Sequence, residues 1–265
     1  MSNLYYDLTK GHKQVVQFIH TQTAPLIVFD PHGTLWGATT GWRMDHPEHH
    51  CLRFSPGFGS NVLSLNPLEL ADKTENGLHA VIRPLTTLLL PEESRSAGIT
   101  LLAAIIHIFN ISNQPCNLPR VVQVLRAYSS PLPWLKHQCG QLPEGHALLA
   151  SLNAIPRKKF EEVARSLAQK LAIFVAPAIM LSLSHSTFSL TQLRLNNTVL
   201  FLCPLMSDML DGEMLVLYRL LIGMLQPQLT TTLLLPEQLA ENYQASEIIL
   251  SESLTAGVSR HPDLH

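Results

Sequence analysis

The chain has 265 residues, a length that allows one large domain or two modest ones around a buried core. Hydrophobic residues make up 46% of it and charged residues only 14%, so we expect a partner to cover part of its uncharged surface. The net charge is −2, so the chain lacks the overall positive charge that is typical of nucleic-acid-binding proteins. The four cysteines contain no C-x-x-C pair, so neither a zinc site nor a redox motif is predicted from them.

The amino-terminal stretch MSNLYYDLTKGHK has no basic region followed by an apolar segment, so no signal peptide is expected. A helix is predicted around QVVQFIH, and the apolar run PLIVFD predicts a buried strand that ends at Asp30. HHCLRFSP predicts a second strand. Just before it, His46, His49 and His50 could ligate a metal, but no further ligand follows at zinc spacing, so a solvated polar loop is preferred.

From about residue 75 to residue 185 the pattern is helical. SRSAGITLLAAIIHIF predicts a buried helix that begins at a capping serine and is too short to span a bilayer. Asn117 precedes a second helix, with Pro119 in its first turn. A third helix carries apolar residues at helical spacing on one face, namely Phe160, Val163, Leu167, Leu171 and Phe174.

Strand character returns after this helical region. NTVLFLCP predicts a strand, GEMLVLYRLLIGMLQPQL a helix that ends at Pro227, and TTTLLLPEQ another buried strand. Apolar strands that alternate with helices predict an α/β fold with a parallel sheet. We predict that residues 1–74 form the first part of this core, 75–185 an inserted all-α domain, and 186–265 the second part, truncated at its carboxyl end.

The stretch LIVFDPHGTLWG, residues 26–37, is compatible with two enzyme families. It resembles the nucleophile loop of haloacid dehalogenase-like phosphatases, in which Asp30 would attack phosphorus. That chemistry needs a second carboxylate two residues later, where this chain has His32, and an acidic pair after a later strand. Asp208 and Asp211 lie several residues beyond the strand NTVLFL, so the phosphatase remains a remote alternative.

A longer series of segments resembles the TraG-like coupling ATPases of type IV secretion and conjugation. Lys10-Gly11 precede Asp30-Pro31 by twenty residues, and CLRFSP, LSLNPLEL, SAGITLLAAIIHIF and TTTLLLPEQLA follow in the family's order. The resemblance extends over roughly residues 8–258. It implies an incomplete RecA-like P-loop NTPase sheet with an inserted all-α domain. It also implies nucleotide-binding positions at Thr9, Lys10, Gly11 and Asp30, and a Walker B remnant at Glu237.

The departures from this family predict a degenerate site. Tyr5, Tyr6, Asp7 and Leu8 stand where glycines would let backbone N–H groups wrap the phosphates. Pro236 replaces the metal-binding aspartate of the Walker B strand, and His32 replaces a lysine. We therefore expect no catalysis and no cofactor, with ATP and Mg2+ bound only if the pocket still functions.

The resulting functional prediction is a non-hydrolysing accessory or interaction protein of a secretion system. Its expected partners are secretion components, substrate proteins, a second copy of the chain or a complete coupling ATPase. It is expected in the cytoplasm, peripheral to the inner membrane through a secretion complex. The alternatives are a functional coupling ATPase subunit that drives DNA or protein transfer, and a single-stranded DNA-binding module. The sequence lacks the interleaved basic and aromatic residues that such a module uses.

Overall fold

A computed structural model describes residues 2–6, 8–31, 33–56, 63–69, 75–127, 130–142, 145–204, 212–229, 232–236 and 258–259. The chain divides into two compact units. The first consists of Met1–Leu63 with Thr187–His265, and the second of Ser64–Ser186. The predicted boundaries at residues 75 and 185, and the interpretation of the middle segment as an inserted domain, stay predictions.

The first unit combines a sheet with helices. Its strands are β1 (Ser2–Tyr6), β2 (Leu26–Phe29), β3 (His50–Phe54), β4 (Thr198–Leu202), β5 (Thr232–Pro236) and β6 (Val258–Ser259). Its helices are α1 (Leu8–Thr21), α2 (Thr34–Met44), α10 (Leu190–Leu193) and α11 (Gly212–Leu229). The strands predicted from PLIVFD, HHCLRFSP, NTVLFLCP and TTTLLLPEQ are confirmed as β2 to β5, whereas β1 and β6 were not predicted.

The strands form one sheet in the order β3-β4-β2-β5-β1-β6. The first five run parallel, and β6 pairs antiparallel with β1. Parallel strands require crossover connections, and α1, α2 and α11 lie in such connections along the chain. The prediction of an α/β fold with a parallel sheet is therefore confirmed.

Both faces of the sheet are covered, which explains why β2, and β4 after Thr198, are apolar. On one face Val28 and Phe201 pack with Leu35 of α2 and with the apolar side of α1. On the other face Phe29 meets Tyr218 of α11 edge to face, with ring centroids 5.5 Å apart. Side chains alternate between the two faces along each strand, so a buried strand needs apolar residues at every position.

Arg43 ties the amino end of this sheet together. It lies in the last turn of α2 and is completely buried. Its Nη1 donates to the Ile19 carbonyl oxygen of α1 at 2.6 Å, and its Nη2 donates to the Asn197 carbonyl oxygen before β4. Burial lowers the pKa of Arg43, and a hydrogen bond with the Cys51 thiol opposes that shift. One guanidinium thus joins the ends of α1 and α2 to β3 and to the entry of β4.

All the regular secondary structure among the described residues of the second unit is helical. The helices are α3 (Glu75–Leu89), α4 (Glu92–Ile111), α5 (Leu118–Ala127), α6 (Leu132–Gly140), α7 (Gly145–Asn153), α8 (Arg157–Lys170), a 3-10 helix (Ala172–Val175) and α9 (Pro177–Leu183). α4 packs against α3 and α8, and α5 packs against α8. Gly98 of α4 lies close to α3, because a Cβ there would lie 3.2 Å from Thr86 Cγ2 of α3 and 2.3 Å from Leu90 Cδ1 just after it.

Three details of the helical predictions can now be settled. The start predicted for α5 after Asn117 is confirmed, and Asn117 Oδ1 caps the helix by accepting the backbone N–H of Arg120 at 2.9 Å. The serine start predicted for α4 is wrong, since the helix begins at Glu92 after Pro91. The end predicted for α11 is also wrong, since the helix continues past Pro227 to Leu229.

The buried face predicted from Phe160 to Phe174 is confirmed, although α8 itself ends at Lys170. All five predicted apolar residues are buried, namely Phe160, Val163, Leu167, Leu171 and Phe174. The last of them lies in the 3-10 helix that follows α8.

Among the described residues, α4 is the one helix that is long and apolar enough to cross a membrane by length and composition. However, 56% of the apolar window of α4 is buried inside the structure, and its buried residues include Leu101, Ile105 and Phe109. A core helix passes the same length test, so the length of α4 is weak support for a membrane span.

Candidate functional site

Two of the predicted site residues, Lys10 and Asp30, follow strands whose carboxyl ends lie at one edge of the sheet. β5 lies between β1 and β2, so the carboxyl ends of these three strands are neighbours, and Asp30 directly follows β2. Neighbouring strands are about 5 Å apart, so the outer two of these ends are separated by about 10 Å. Such an edge is where open α/β sheets bind ligands.

Asp30 follows β2 and is almost completely buried. Its Oδ1 accepts the backbone N–H of Thr34 at 3.1 Å, and its Oδ2 accepts that of Trp36 at 2.8 Å. Both carboxylate oxygens therefore satisfy amide groups in the first turn of α2, which otherwise have no partner in the helix. The negative charge also complements the positive end of the helix dipole. This geometry gives Asp30 the role of a cap at the start of α2.

Gly33 makes the turn between Asp30 and α2 possible. Its φ of 66° lies in the left-handed region, and its backbone N–H donates to the Asp30 carbonyl oxygen at 3.1 Å. Glycine adopts this conformation without the steric cost that a Cβ imposes. His32, which stands beside Gly33 in this turn, lies outside the described residues.

Three further side chains accompany Asp30, and none of them was predicted. The guanidinium carbon of Arg53 on β3 lies 5.6 Å from the ring centroid of Trp36, a cation–π arrangement. Arg53 also hydrogen-bonds the Cys203 thiol that follows β4. Arg53 is the only Lys, Arg, Asp or Glu in the strand HCLRF, and that isolation is the signal that could have pointed to it.

Cys203 is not suited to act as a nucleophile. Burial raises the pKa of its thiol to about 12, and the nearby charge of Asp30 acts in the same direction, whereas Arg53 opposes them. Thiolates are the reactive form of cysteine, so Cys203 stays protonated and inert near neutral pH. The Asp30, Trp36, Arg53 and Cys203 group can therefore fix the edge of the sheet, but it does not constitute a catalytic set.

At the position of the expected phosphate-binding loop, a single helical turn lies between the strand and the regular helix. β1 ends at Tyr6, Leu8–Lys10 form that turn, and the regular part of α1 follows the non-helical residue Gly11. The predicted loop at Tyr5 and Tyr6 is thus wrong, because both residues belong to β1. Thr9 and Lys10 form the first turn of α1, and Gly11 interrupts the helix with a φ of −154°.

The described backbone of this connection does not form a phosphate nest. Such a nest needs successive N–H groups that converge through alternating right- and left-handed residues. In the part of the chain that the structure describes, positive φ values occur only at Gly33, Asn113 and Asn197. The side chains of Thr9 and Lys10 are outside the description, as are Asp7, Asp208, Asp211 and Glu237. Their assignment to a nucleotide site stays a prediction.

The chain is similar in sequence to proteins of conjugative DNA transfer. The family model described as "Type IV secretory system Conjugative DNA transfer" matches residues 10–252. A segment of 60 residues is 37% identical to "Conjugal transfer protein TraG" of Escherichia coli. That segment covers 23% of this chain and 9% of the relative, so the match includes only a small part of the longer protein. The family match includes most of the chain, and the resemblance to TraG-like proteins is confirmed. The chain belongs to the conjugative DNA transfer family of the type IV secretory system.

Proposed function

We propose that this chain is a non-hydrolysing member of the coupling-protein family that acts through interactions with the secretion machinery. The observation that carries the proposal is the connection between β1 and α1. It contains one helical turn, Leu8–Lys10, and its single glycine, Gly11, follows Lys10, so its described backbone offers no glycine-rich cradle for a triphosphate. The order of the parallel strands is compatible with a RecA-like core, which we propose as the ancestry of the sheet.

The capping role of Asp30 supports the same proposal. Two backbone N–H groups take up part of the acceptor capacity of the Asp30 carboxylate, and the side chain is almost completely buried, so Mg2+ or a phosphate ester has little access to it. The phosphatase alternative requires that attack, and the family assignment favours the coupling-protein relationship instead.

The partners that we propose are components of a type IV secretion system or its substrate proteins. The low content of charged residues, 14%, suits a chain that presents uncharged surface to another protein. The proposed location is cytoplasmic, with attachment to the inner membrane through the secretion complex. We propose that no nucleotide or metal is needed for this role.

Phosphate release tests the absence of hydrolysis. The purified chain should release phosphate from Mg-ATP no faster than its Lys10→Ala and Glu237→Gln variants, with or without single-stranded DNA. The variants serve as matched controls, because a contaminating ATPase would give the same rate in all three preparations. A rate that both substitutions abolish would instead establish a functional coupling ATPase subunit.

A further inference from the structure

A group of aromatic side chains lies at the amino end of the parallel strands, opposite the candidate site. We call His20, Trp42, His46 and His49 the histidine cluster. The imidazoles of His20 and His46 stack on the Trp42 indole, with centroid distances of 4.4 and 4.0 Å. His49 meets the indole edge to face at 5.3 Å. The cluster joins the end of α1, the last turn of α2 and the connection to β3.

The ring nitrogens of this cluster suit neutral imidazoles. His46 Nδ1 donates to the Trp42 carbonyl oxygen at 2.7 Å, and a ring N–H of His20 donates to the backbone of Thr39. His20 Nε2 and His49 Nδ1 are buried and have no hydrogen-bond partner among the described residues. Protonation would place a new N–H donor at each of these atoms without an acceptor, which costs the desolvation of the donor.

The surrounding charges also favour the neutral form of the imidazoles. Arg43 is a permanent cation beneath the cluster, and its hydrogen bond to Ile19 already neutralises the carboxyl end of α1. The carboxylate closest to an imidazole is that of Glu48, whose Oε1 lies 3.6 Å from His49 Nε2. The Glu48 side chain is 57% exposed, so solvent screens its attraction. The remaining titratable groups nearby are Asp45 and His50, both exposed, and the Cys51 thiol.

The pKa values of two imidazoles follow from this environment. Burial lowers the pKa of His20, the bond to Thr39 opposes the shift, and the charges of Arg43 and His46 add to it. Burial also lowers the pKa of His49, and Arg43 adds to that shift, against Glu48. The indole face attracts an imidazolium. Burial and the charge of Arg43 act against it and favour the neutral imidazoles.

We propose that the histidine cluster is a proton-controlled latch that holds residues 45–49 against Trp42 of α2 at neutral pH and releases them in mild acid. A histidine released to solvent takes up a proton near pH 6.5, whereas the closed latch holds His20 and His49 neutral to lower pH. The closed state is therefore fully favoured above about pH 6.5 and loses stability as the pH falls toward the lowered values. This inference does not depend on the proposed function, because the latch lies at the opposite end of the sheet.

The latch is tested with 5-fluorotryptophan in the whole chain, in the presence of EDTA so that no metal holds the imidazoles. The chain has three tryptophans, which give three 19F resonances, and Trp42→Phe assigns one of them. Between about pH 7.5 and pH 5, the Trp42 resonance should move with a midpoint below 6.5 while those of Trp36 and Trp134 stay in place. The double variant His20→Gln/His49→Gln should abolish the movement, and His146→Gln, at an exposed position of α7, should retain it.

Hydrogen exchange tests the release itself in the unmodified protein. The amides of Asp45, His46 and His49 donate within the connection, to Gly41, Arg43 and His46 respectively. After correction for intrinsic exchange rates, their protection should fall by about tenfold or more between about pH 7.5 and pH 5.5, while that of β2 is unchanged. Unchanged protection of the three amides, or a Trp42 resonance that moves only together with the other two, would overturn the proposal.

Discussion

Replacing Arg43 with alanine is expected to lower the free energy of unfolding by about 3–5 kcal/mol. The substitution leaves the buried carbonyl oxygen of Ile19 without a donor, at about 1–3 kcal/mol, and opens a cavity. It also removes one of two donors from the Asn197 carbonyl oxygen, which keeps the His50 backbone N–H at 3.0 Å. Urea-induced unfolding, followed by the fluorescence of Trp36 and Trp42 in the same unit, measures the loss.

Two variants separate this role from a simple loss of charge. Arg43→Lys keeps the cation, but its single ammonium cannot reproduce the fork that reaches both carbonyl oxygens, so an intermediate loss is expected. Arg194→Ala removes an exposed arginine from the same unit and should change the stability by less than about 0.5 kcal/mol. A loss below about 1 kcal/mol for Arg43→Ala would show that the ends of α1 and α2 are held by other contacts.

Replacing Asp30 with alanine is expected to lower the free energy of unfolding by about 2 kcal/mol. The amides of Thr34 and Trp36 would lose their acceptor, and caps of this kind contribute about 0.5–2 kcal/mol. The free energy of unfolding of Asp30→Asn should lie between those of the unmodified chain and of Asp30→Ala. The asparagine amide retains one acceptor oxygen, but it turns an N–H donor toward one of the two backbone N–H groups. Chemical denaturation of the three proteins measures these differences.

The other end of α2 supplies the control. Asp45 is exposed and follows the last residue of the helix, where a negative charge opposes the dipole. Asp45→Ala should therefore leave the stability unchanged or slightly increased. If Asp30→Ala retained full stability but lost a measurable affinity for Mg-ATP, Asp30 would be a ligand-binding residue rather than a cap.

The sequence was sufficient to predict the type and position of most elements. The apolar runs at residues 26–29, 198–202 and 232–236 identified parallel strands, because a strand buried on both faces has no polar alternation. Pro119, in the first turn after Asn117, identified the start of α5. β1 was missed because the resemblance to a P-loop family assigned Tyr5 and Tyr6 to a loop, although tyrosine favours strands.

The contents of the candidate site could not be predicted in the same way. Arg53, Trp36 and Cys203 come together only because β4 pairs with both β2 and β3, and β4 lies about 150 residues later in the chain. The capping by Asp30 depends equally on where α2 begins relative to β2. Local pattern indicates the strand ends, whereas the order of the strands decides which side chains meet.

The central claim is that the connection from β1 to α1 does not bind a triphosphate, and calorimetric titration with Mg-ATP tests it most directly. We expect no saturable binding up to about 1 mM ATP, and no difference between the unmodified chain and Lys10→Ala. Lys13→Ala, which removes an exposed lysine from the same helix, is the matched control. Micromolar affinity that Lys10→Ala abolishes and Lys13→Ala retains would contradict the account and indicate a working nucleotide site.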